Sequence, residues 1–267
     1  MSKGEYKTLF PKDGTYKMSG WHVAPGMTYS LTRIGERSET INPNDEGSFQ
    51  ATFNPGGEIG WYLEGGRFHI LKNLKFFNYF DYSLGVKQLK GKEAFEAIPN
   101  TSLDGDEYIG KGAFNDVYVT ASANISKNFQ IADRDFIQTS IGVNADYNLF
   151  GSRSKEGYID GMELSKPPDF MGQLHFKLGY GMKVSEKVFI IPSLETPIMN
   201  IQKWENGKST LEHFSSRYRP LIFSLRILWL KETESGECPE AIDNADTSEG
   251  GEHKEEEGLN YKEMKDN

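Results

Sequence analysis

The residues that could carry chemistry include a histidine in a polar segment near the C-terminal part of the chain. His213 follows Glu212 and precedes Ser215 and Ser216, which are the residue types of a hydrolytic triad. Neighbours in sequence are weak evidence for a triad, because a triad is defined by its geometry. We therefore interpret His213 as a surface-loop residue and predict no catalytic residues.

Metal and cofactor sites are also weakly supported. The acidic stretch Asp104-Gly105-Asp106-Glu107 resembles part of a calcium loop but lacks the twelve-residue spacing of one. The glycine pair Gly65-Gly66 has no strand-to-helix context and so is not a nucleotide motif. The one cysteine, Cys238, cannot form an intramolecular disulfide or a cysteine-rich metal site. We predict no metal and no cofactor.

The elements that must position any site are strands, because apolar and polar residues alternate with a period of two. In the segment 136–149, odd positions such as Ile141 and Val143 are apolar, and even positions such as Asn144 and Asp146 are polar. The alternation predicts seven further strands, over 26–34, 58–71, 80–87, 117–126, 172–184, 188–198 and 221–229. Helical periodicity is nowhere sustained. The sequence therefore predicts an all-β, eight-stranded antiparallel up-and-down barrel.

Three features favour a barrel whose apolar face meets lipid. The connections between predicted strands alternate between long and short, which is typical of outer-membrane barrels. The long ones are 35–57, 91–116, 150–171 and 199–219, and the short ones are 71–73, 127–135 and 185–187. The polar face is rich in small residues, which suit a narrow lumen. Tyr and Trp residues, including Trp61, Tyr147 and Trp229, lie toward the ends of several apolar rows, as in an interfacial belt.

The two faces assign the residues to two environments. The residues predicted to form a polar network in the lumen are Glu64, Asp81, Lys87, Asn144, Asp146, His175, Lys177, Lys183, Glu195 and Arg226. Those predicted to face lipid are Leu84, Val119, Ile141, Val143, Phe176, Leu178, Phe223, Leu225 and Trp229. Charges in so narrow a space must pair or stay hydrated. We interpret the network as a structural plug that fixes strand register, with a gated narrow conduit as the alternative.

Composition and charge limit the remaining possibilities. The chain has 267 residues and a mean hydropathy of −0.59, and it contains no apolar window long enough for a transmembrane helix. The net charge is −9, and residues 231–267 alone carry 13 acidic and 4 basic side chains. The rest of the chain is therefore close to neutral. No basic face points to nucleic acid. We predict an N-terminal periplasmic segment over 1–20, a barrel over 21–230 and an acidic, disordered periplasmic tail over 231–267.

The strand rows and the closing segment from Phe214 to Leu230 resemble the small outer-membrane β-barrels of Bacteroidota, described as porin-family or PorT-like, and more loosely the OmpX and OmpW types. The resemblance covers about residues 20–230 and implies fold and location more than activity. It departs from the family pattern at the C-terminus, because 37 residues follow Leu230.

These observations predict a non-enzymatic outer-membrane barrel of a Gram-negative bacterium, acting as a structural or accessory subunit of an envelope complex. Its expected partners are outer-membrane lipids, including lipopolysaccharide, and an envelope protein. Residues 1–17 contain no apolar segment of the kind found in signal peptides, which by itself indicates a cytosolic protein. Because the strand pattern fits a membrane barrel better, we expect instead that a signal peptide was removed. The alternatives are a lipid-modifying outer-membrane enzyme and a soluble lipocalin-like barrel that binds an apolar ligand.

Overall fold

Nine antiparallel strands form the fold in a computed structural model of the chain. The residues that the structure describes are 9–10, 16–32, 37–42, 48–71, 76–100, 107–160, 162, 164, 167–201, 211, 214 and 219–233. They belong to one compact unit, Met1–Thr233. The strands are β1 (Tyr16–Ser30), β2 (Arg37–Ile41), β3 (Phe49–Ile70), β4 (Tyr79–Pro99), β5 (Tyr108–Gln130), β6 (Asp135–Glu156), β7 (Phe170–Lys183), β8 (Val188–Asn200) and β9 (Pro220–Glu232).

The strands form one sheet that closes on itself. Each strand from β3 to β8 pairs with the next in the chain, and β1 pairs with both β9 and β3 to complete the ring. The ring thus confirms the all-β, antiparallel, barrel-like prediction.

The predicted number of eight strands is corrected to nine. β1 and β2 lie end to end along β3, with Tyr29 opposite Ile59 and Arg37 opposite Phe53. Eight strands therefore follow one another around the ring, and β2 extends the edge of β3 beyond β1. The first predicted strand, at 26–34, is also misplaced, because β1 begins at Tyr16 and ends at Ser30. Gly20, Pro25 and Gly26 weaken the β pattern of its first part without preventing pairing, so the alternation alone missed that part.

Two of the four predicted long connections, 35–57 and 91–116, are largely strand, and the start of 150–171 is strand as well. β3 to β6 are 21–23 residues long and include 49–57, 91–99, 108–116 and 150–156. The connections that remain do not alternate strictly in length, since 71–78 and 100–107 both contain eight residues. We call the end of the ring with connections 71–78, 131–134 and 184–187 the turn end, and the opposite end the loop end.

The long strands reverse their polarity along their length, as β4 illustrates. In its turn-end half, Asp81 and Lys87 are buried inside the ring, while Leu84 is exposed on the outside. In its loop-end half, Phe95 is buried inside, while Lys92 points outward and is exposed. The alternation continues with a period of two, but the face that is apolar changes.

The interior of the ring is consequently layered. A cluster of apolar side chains fills the turn end, with Phe68, Tyr79 and Phe136 among its fully buried members. Two further apolar clusters fill the loop end, around Phe95 and Phe114. Between them lies a layer of charged and amide side chains, which we call the polar layer.

Candidate functional site

The polar layer is built from inward-facing residues of strands spread around the whole ring. Its charged and imidazole members are His22, Glu64, Asp81, Lys87, Asp146, His175, Lys177, Glu195 and Arg226, and its amide members are Asn124, Gln138 and Asn144. All of them are buried. Because each strand places alternate residues inside, the layer needs only one to three side chains from a strand. Buried charges are stable only when they are paired or hydrogen-bonded.

Two short ion pairs join strands across the layer. The Lys87 ammonium on β4 lies 2.7 Å from Oδ2 of Asp146 on β6, and both side chains are fully buried. The Lys177 ammonium on β7 lies 2.9 Å from Oε2 of Glu195 on the adjacent β8. The first pair spans two strands that are not neighbours in the sheet, so it crosses part of the lumen.

Arg226 crosses the lumen from β9. Its Nη2 lies 3.1 Å from Oδ1 of Asp81 on β4, and its Nη1 donates to Oε1 of Gln138 on β6 at 3.3 Å. Its Nε lies 3.5 Å from Oε1 of Glu64 on β3. None of these strands pairs with β9. The guanidinium therefore occupies the inside of the ring and links opposite walls.

Glu64 is the second centre of the layer. Its Oε2 accepts hydrogen bonds from the Tyr62 hydroxyl at 2.6 Å and from the Ser83 hydroxyl at 3.0 Å. Its Oε1 faces the Lys177 ammonium at 3.8 Å and Nε2 of His22 at 3.9 Å. Neutral donors and cations thus surround this carboxylate.

His175 lies between two amides. Its Nε2 is 2.6 Å from Oδ1 of Asn124, and its Nδ1 is 3.3 Å from Oδ1 of Asn144. The Nδ1 atom is also 3.9 Å from Oε1 of Glu195. Through these contacts β7 is connected to β5, β6 and β8.

The structure brings nine of the ten predicted lumen residues together in this layer. The exception is Lys183, which lies at the end of β7, where its ammonium pairs with Glu186 at 2.8 Å. The sequence interpretation missed His22, although extending the even-numbered polar row of β1 upstream from Thr28 reaches it. It also gave no role to Asn124, which lay in a predicted polar row.

The nine residues predicted to face lipid all point to the outside of the ring. Seven are clearly exposed, from 39% for Leu225 and Trp229 to 68% for Leu84, and Val119 and Phe176 are partly exposed. Other exposed aromatic side chains lie on the outer surface toward both strand ends: Trp21, Tyr82, Phe129 and Tyr180 toward the turn end, and Tyr29, Tyr147 and Phe170 toward the loop end. At the turn end, the Arg67 guanidinium also lies 4.6 Å from the ring of Trp21.

Residues from two connections fill the loop end. Tyr158 stacks on Phe95 with ring centroids 4.6 Å apart, and its hydroxyl donates to Oε1 of Glu93 at 3.3 Å. Burial raises the pKa of the Glu93 carboxyl to about 8. Leu211 and Phe214 enter the same apolar interior with left-handed backbones, at φ of 71° and 64°. The interior is therefore occupied by side chains at this end as well.

The loop-end wall makes room for these inserted side chains with glycine. A Cβ at Gly112 would lie 2.6 Å from the Tyr158 hydroxyl and 2.9 Å from Leu211. A Cβ at Gly91 would lie 2.6 Å from the ring of Phe214. Strand interiors disfavour glycine, so its presence at these two inward positions fits a close approach of another part of the chain.

The arrangement of the described residues is a network of paired charges. Among them, no group of three or more His, Cys, Asp and Glu side chains is placed to hold a metal ion. Several residues considered from the sequence lie outside the described part: Asp104, Asp106, Glu212, His213, Ser215, Ser216, Cys238 and residues 234–267 of the predicted tail. The first residues of that predicted tail, Lys231 and Glu232, belong to β9.

Comparisons with known proteins do not assign the chain to a family. No protein-family model matches the sequence, and no curated protein matches it. Across the described ranges, no helix is long and apolar enough to cross a membrane.

Proposed function

We propose that this chain is an integral β-barrel protein of a bacterial outer membrane, with a closed lumen and a structural or accessory role in the envelope. The observation that carries the proposal is that, at one level of the ring, the inner face is charged and the outer face is apolar. The half of β4 that buries Asp81 and Lys87 inside exposes Tyr82 and Leu84 outside. Lipid around the ring would account for this reversal of the usual soluble pattern.

The apolar outer surface is continuous around the ring. Every ring strand contributes exposed or partly exposed apolar residues, as Met27 does on β1, Leu63 on β3 and Leu194 on β8. A patch of this extent is larger than monomeric soluble proteins expose to water. At the loop end the outer surface instead carries charged groups such as Lys92 and Glu96. A bilayer covering only the apolar band would match both regions.

The closed interior supports a structural role over a pore. Arg226 spans the polar layer, and apolar clusters fill the ring on both sides of it. A narrow eight-strand circumference leaves little space once side chains fill it. With the outer face committed to lipid, including lipopolysaccharide, the exposed loop end is the surface left for an envelope partner protein.

Arginine scanning of the outer face tests the proposal. Ile141→Arg and Leu178→Arg place a charge on the apolar band, and each should lower the stability of the inserted protein by about 2–4 kcal/mol at mid-membrane depth. The matched control is Ser154→Arg, on the outer loop-end part of β6, where we expect a cost of about 0–1 kcal/mol. Unfolding of protein in lipid vesicles, followed by heat-modifiable gel migration, gives the comparison.

Two results would contradict the proposal. One is equal stability of Ile141→Arg and Ser154→Arg in vesicles. The other is a wild-type protein that remains folded, monomeric and soluble without detergent and does not fractionate with membranes. That second outcome would favour a soluble barrel. A change in the lipid A mass spectrum that depends on the protein would instead favour the lipid-modifying enzyme.

A further inference from the structure

Both ring nitrogens of His175 face oxygen atoms. Nε2 lies 2.6 Å from Oδ1 of Asn124, and Nδ1 lies 3.3 Å from Oδ1 of Asn144. An amide oxygen can only accept a hydrogen bond, so a nitrogen that bonds to it must carry a proton. A neutral imidazole has one N–H and could satisfy only one of these contacts.

The orientation of each amide is fixed at its other end. Nδ2 of Asn124 donates to Oδ1 of Asp81 at 2.8 Å. Nδ2 of Asn144 donates to both carboxylate oxygens of Asp146, at 3.0 and 3.1 Å. Turning either amide over would place its oxygen against a carboxylate, which the hydrogen-bond network excludes. The two carboxylates therefore direct both amide oxygens toward His175.

The charge balance of the described residues in the polar layer favours one further positive charge. Its buried carboxylates are Glu64, Asp81, Asp146 and Glu195, and its permanent cations are Lys87, Lys177 and Arg226. Four negative groups face three positive ones. One further positive charge would neutralise the layer. The layer has two imidazoles that could supply it. His22 lies 3.9 Å from Oε1 of Glu64, and neither of its ring nitrogens has a hydrogen-bond partner among the described residues, whereas both ring nitrogens of His175 face amide oxygens.

We propose that His175 is held as the doubly protonated imidazolium, so that the polar layer is a buried proton-binding site on which the closed lumen depends. Burial and the neighbouring Lys177 and Lys87 disfavour the charged ring, whereas Glu195 and Glu64 favour it. The proposal rests on the two amide oxygens, each of which needs a ring N–H. The titratable and charged groups that face it are His22 on β1, Glu64 on β3, Asp81 and Lys87 on β4, Asp146 on β6, Lys177 on β7, Glu195 on β8 and Arg226 on β9. The proposal concerns the inside of the ring and does not depend on the membrane assignment.

The proton couples the stability of the ring to pH. Losing it would leave two amide oxygens facing an imidazole with one N–H, and one buried negative charge without a counterion. The unfolded chain releases this proton above about pH 6.5, the ordinary pKa of histidine. While the folded ring keeps it, each further pH unit should raise the unfolding equilibrium constant by up to about tenfold.

Nitrogen NMR of the full chain, with ¹⁵N-labelled histidine, tests the protonation state directly. At pH 7.5 we expect both ring nitrogens of His175 to show the shifts and one-bond proton couplings of an imidazolium. The signal of His175 is the one that is absent from the spectrum of the His175→Gln variant. If that variant does not fold, a variant that keeps His175 as its only histidine gives the assignment. A single unprotonated ring nitrogen at this pH would overturn the proposal.

The pH dependence of unfolding provides a second test. Glu93 holds a proton in the folded state over part of the same range, so the comparison uses Glu93→Gln as the reference protein. Between pH 6.5 and 8, the unfolding equilibrium constant of Glu93→Gln should rise with pH. That of Glu93→Gln/His175→Gln should rise less steeply, and the difference between the two slopes should be up to about tenfold per pH unit. Equal slopes in the two proteins would contradict the proposal.

Discussion

The Lys87–Asp146 pair offers the sharpest test of how the polar layer stabilises the ring. Both side chains are fully buried, and the ammonium lies 2.7 Å from the carboxylate. Lys87→Met keeps most of the side-chain volume and removes the charge, which leaves Asp146 ionised without its closest cation. Breaking a buried pair from one side typically costs about 3–5 kcal/mol, because the remaining charge has lost its partner.

The double substitution Lys87→Met/Asp146→Asn removes both charges. The remaining amide can still accept a hydrogen bond from Asn144, whose Nδ2 now donates to Oδ1 of Asp146 at 3.0 Å. We therefore expect the double variant to be more stable than Lys87→Met by about 2 kcal/mol or more, since neutral replacement of a buried pair is often nearly neutral. The corresponding coupling energy is negative, because the double variant costs less than the sum of the two single variants.

Urea unfolding of the detergent-solubilised or vesicle-inserted protein, followed by tryptophan fluorescence, measures the four free energies of this cycle. The matched control is Lys183→Met, which removes a lysine whose ion pair lies at the end of β7 and whose partner Glu186 is exposed. Its cost should stay below about 1 kcal/mol. The reasoning is refuted if Lys87→Met costs no more than Lys183→Met, or if the two substitutions at 87 and 146 are additive.

Two further predictions concern the loop end. Because burial raises the pKa of Glu93 to about 8, the folded state keeps a proton that the unfolded chain loses above pH 4.5, and stability falls as pH rises between these values. Glu93→Gln should therefore be more stable than wild type by about 3 kcal/mol at pH 7 and by much less at pH 5, as measured by urea unfolding. An equal gain at both pH values would contradict this. Gly112→Val would press on the Tyr158 hydroxyl and Leu211 and should cost about 1–3 kcal/mol, whereas Ala113→Val, on the outer face, should cost less than half as much. Equal costs would show that the inserted side chains move aside freely.

The turn-end half of the ring was predictable from sequence because its alternation is uninterrupted. In β6 the row from Ile137 to Leu149 separated two faces, and in the structure Ile141 is exposed on the outside of the ring and Asn144 is buried inside it. A period of two, together with one uniformly apolar face, is enough to fix which side chains share a surface.

The loop-end halves were assigned to loops because the outward residues there are charged. Lys90, Lys92 and Glu96 look like a solvated connection when read alone, although Leu89 before them and Phe95 among them keep the period of two. A method that tracks the period while allowing the apolar face to switch would have extended β4 to Pro99.

Contacts across the lumen could not be predicted, since they depend on the stagger between strands. The sequence places Arg226 on a polar row, but nothing in it identifies Asp81, Glu64 or Gln138 as the groups the guanidinium reaches. Those distances follow from the registers of the strands that separate β9 from β3, β4 and β6, and small shifts at irregular pairings accumulate around the ring.

The switch of polarity within β4 also protects the assembly of the sheet against misalignment. A slip of one residue would turn Asp81 and Lys87 outward and Leu84 inward in one half, and in the same step would turn Phe95 outward in the other half. In a strand with one pattern and two similar faces, a shifted register costs little. In β4 the same shift misplaces side chains in both halves, so the shifted register is disfavoured twice over.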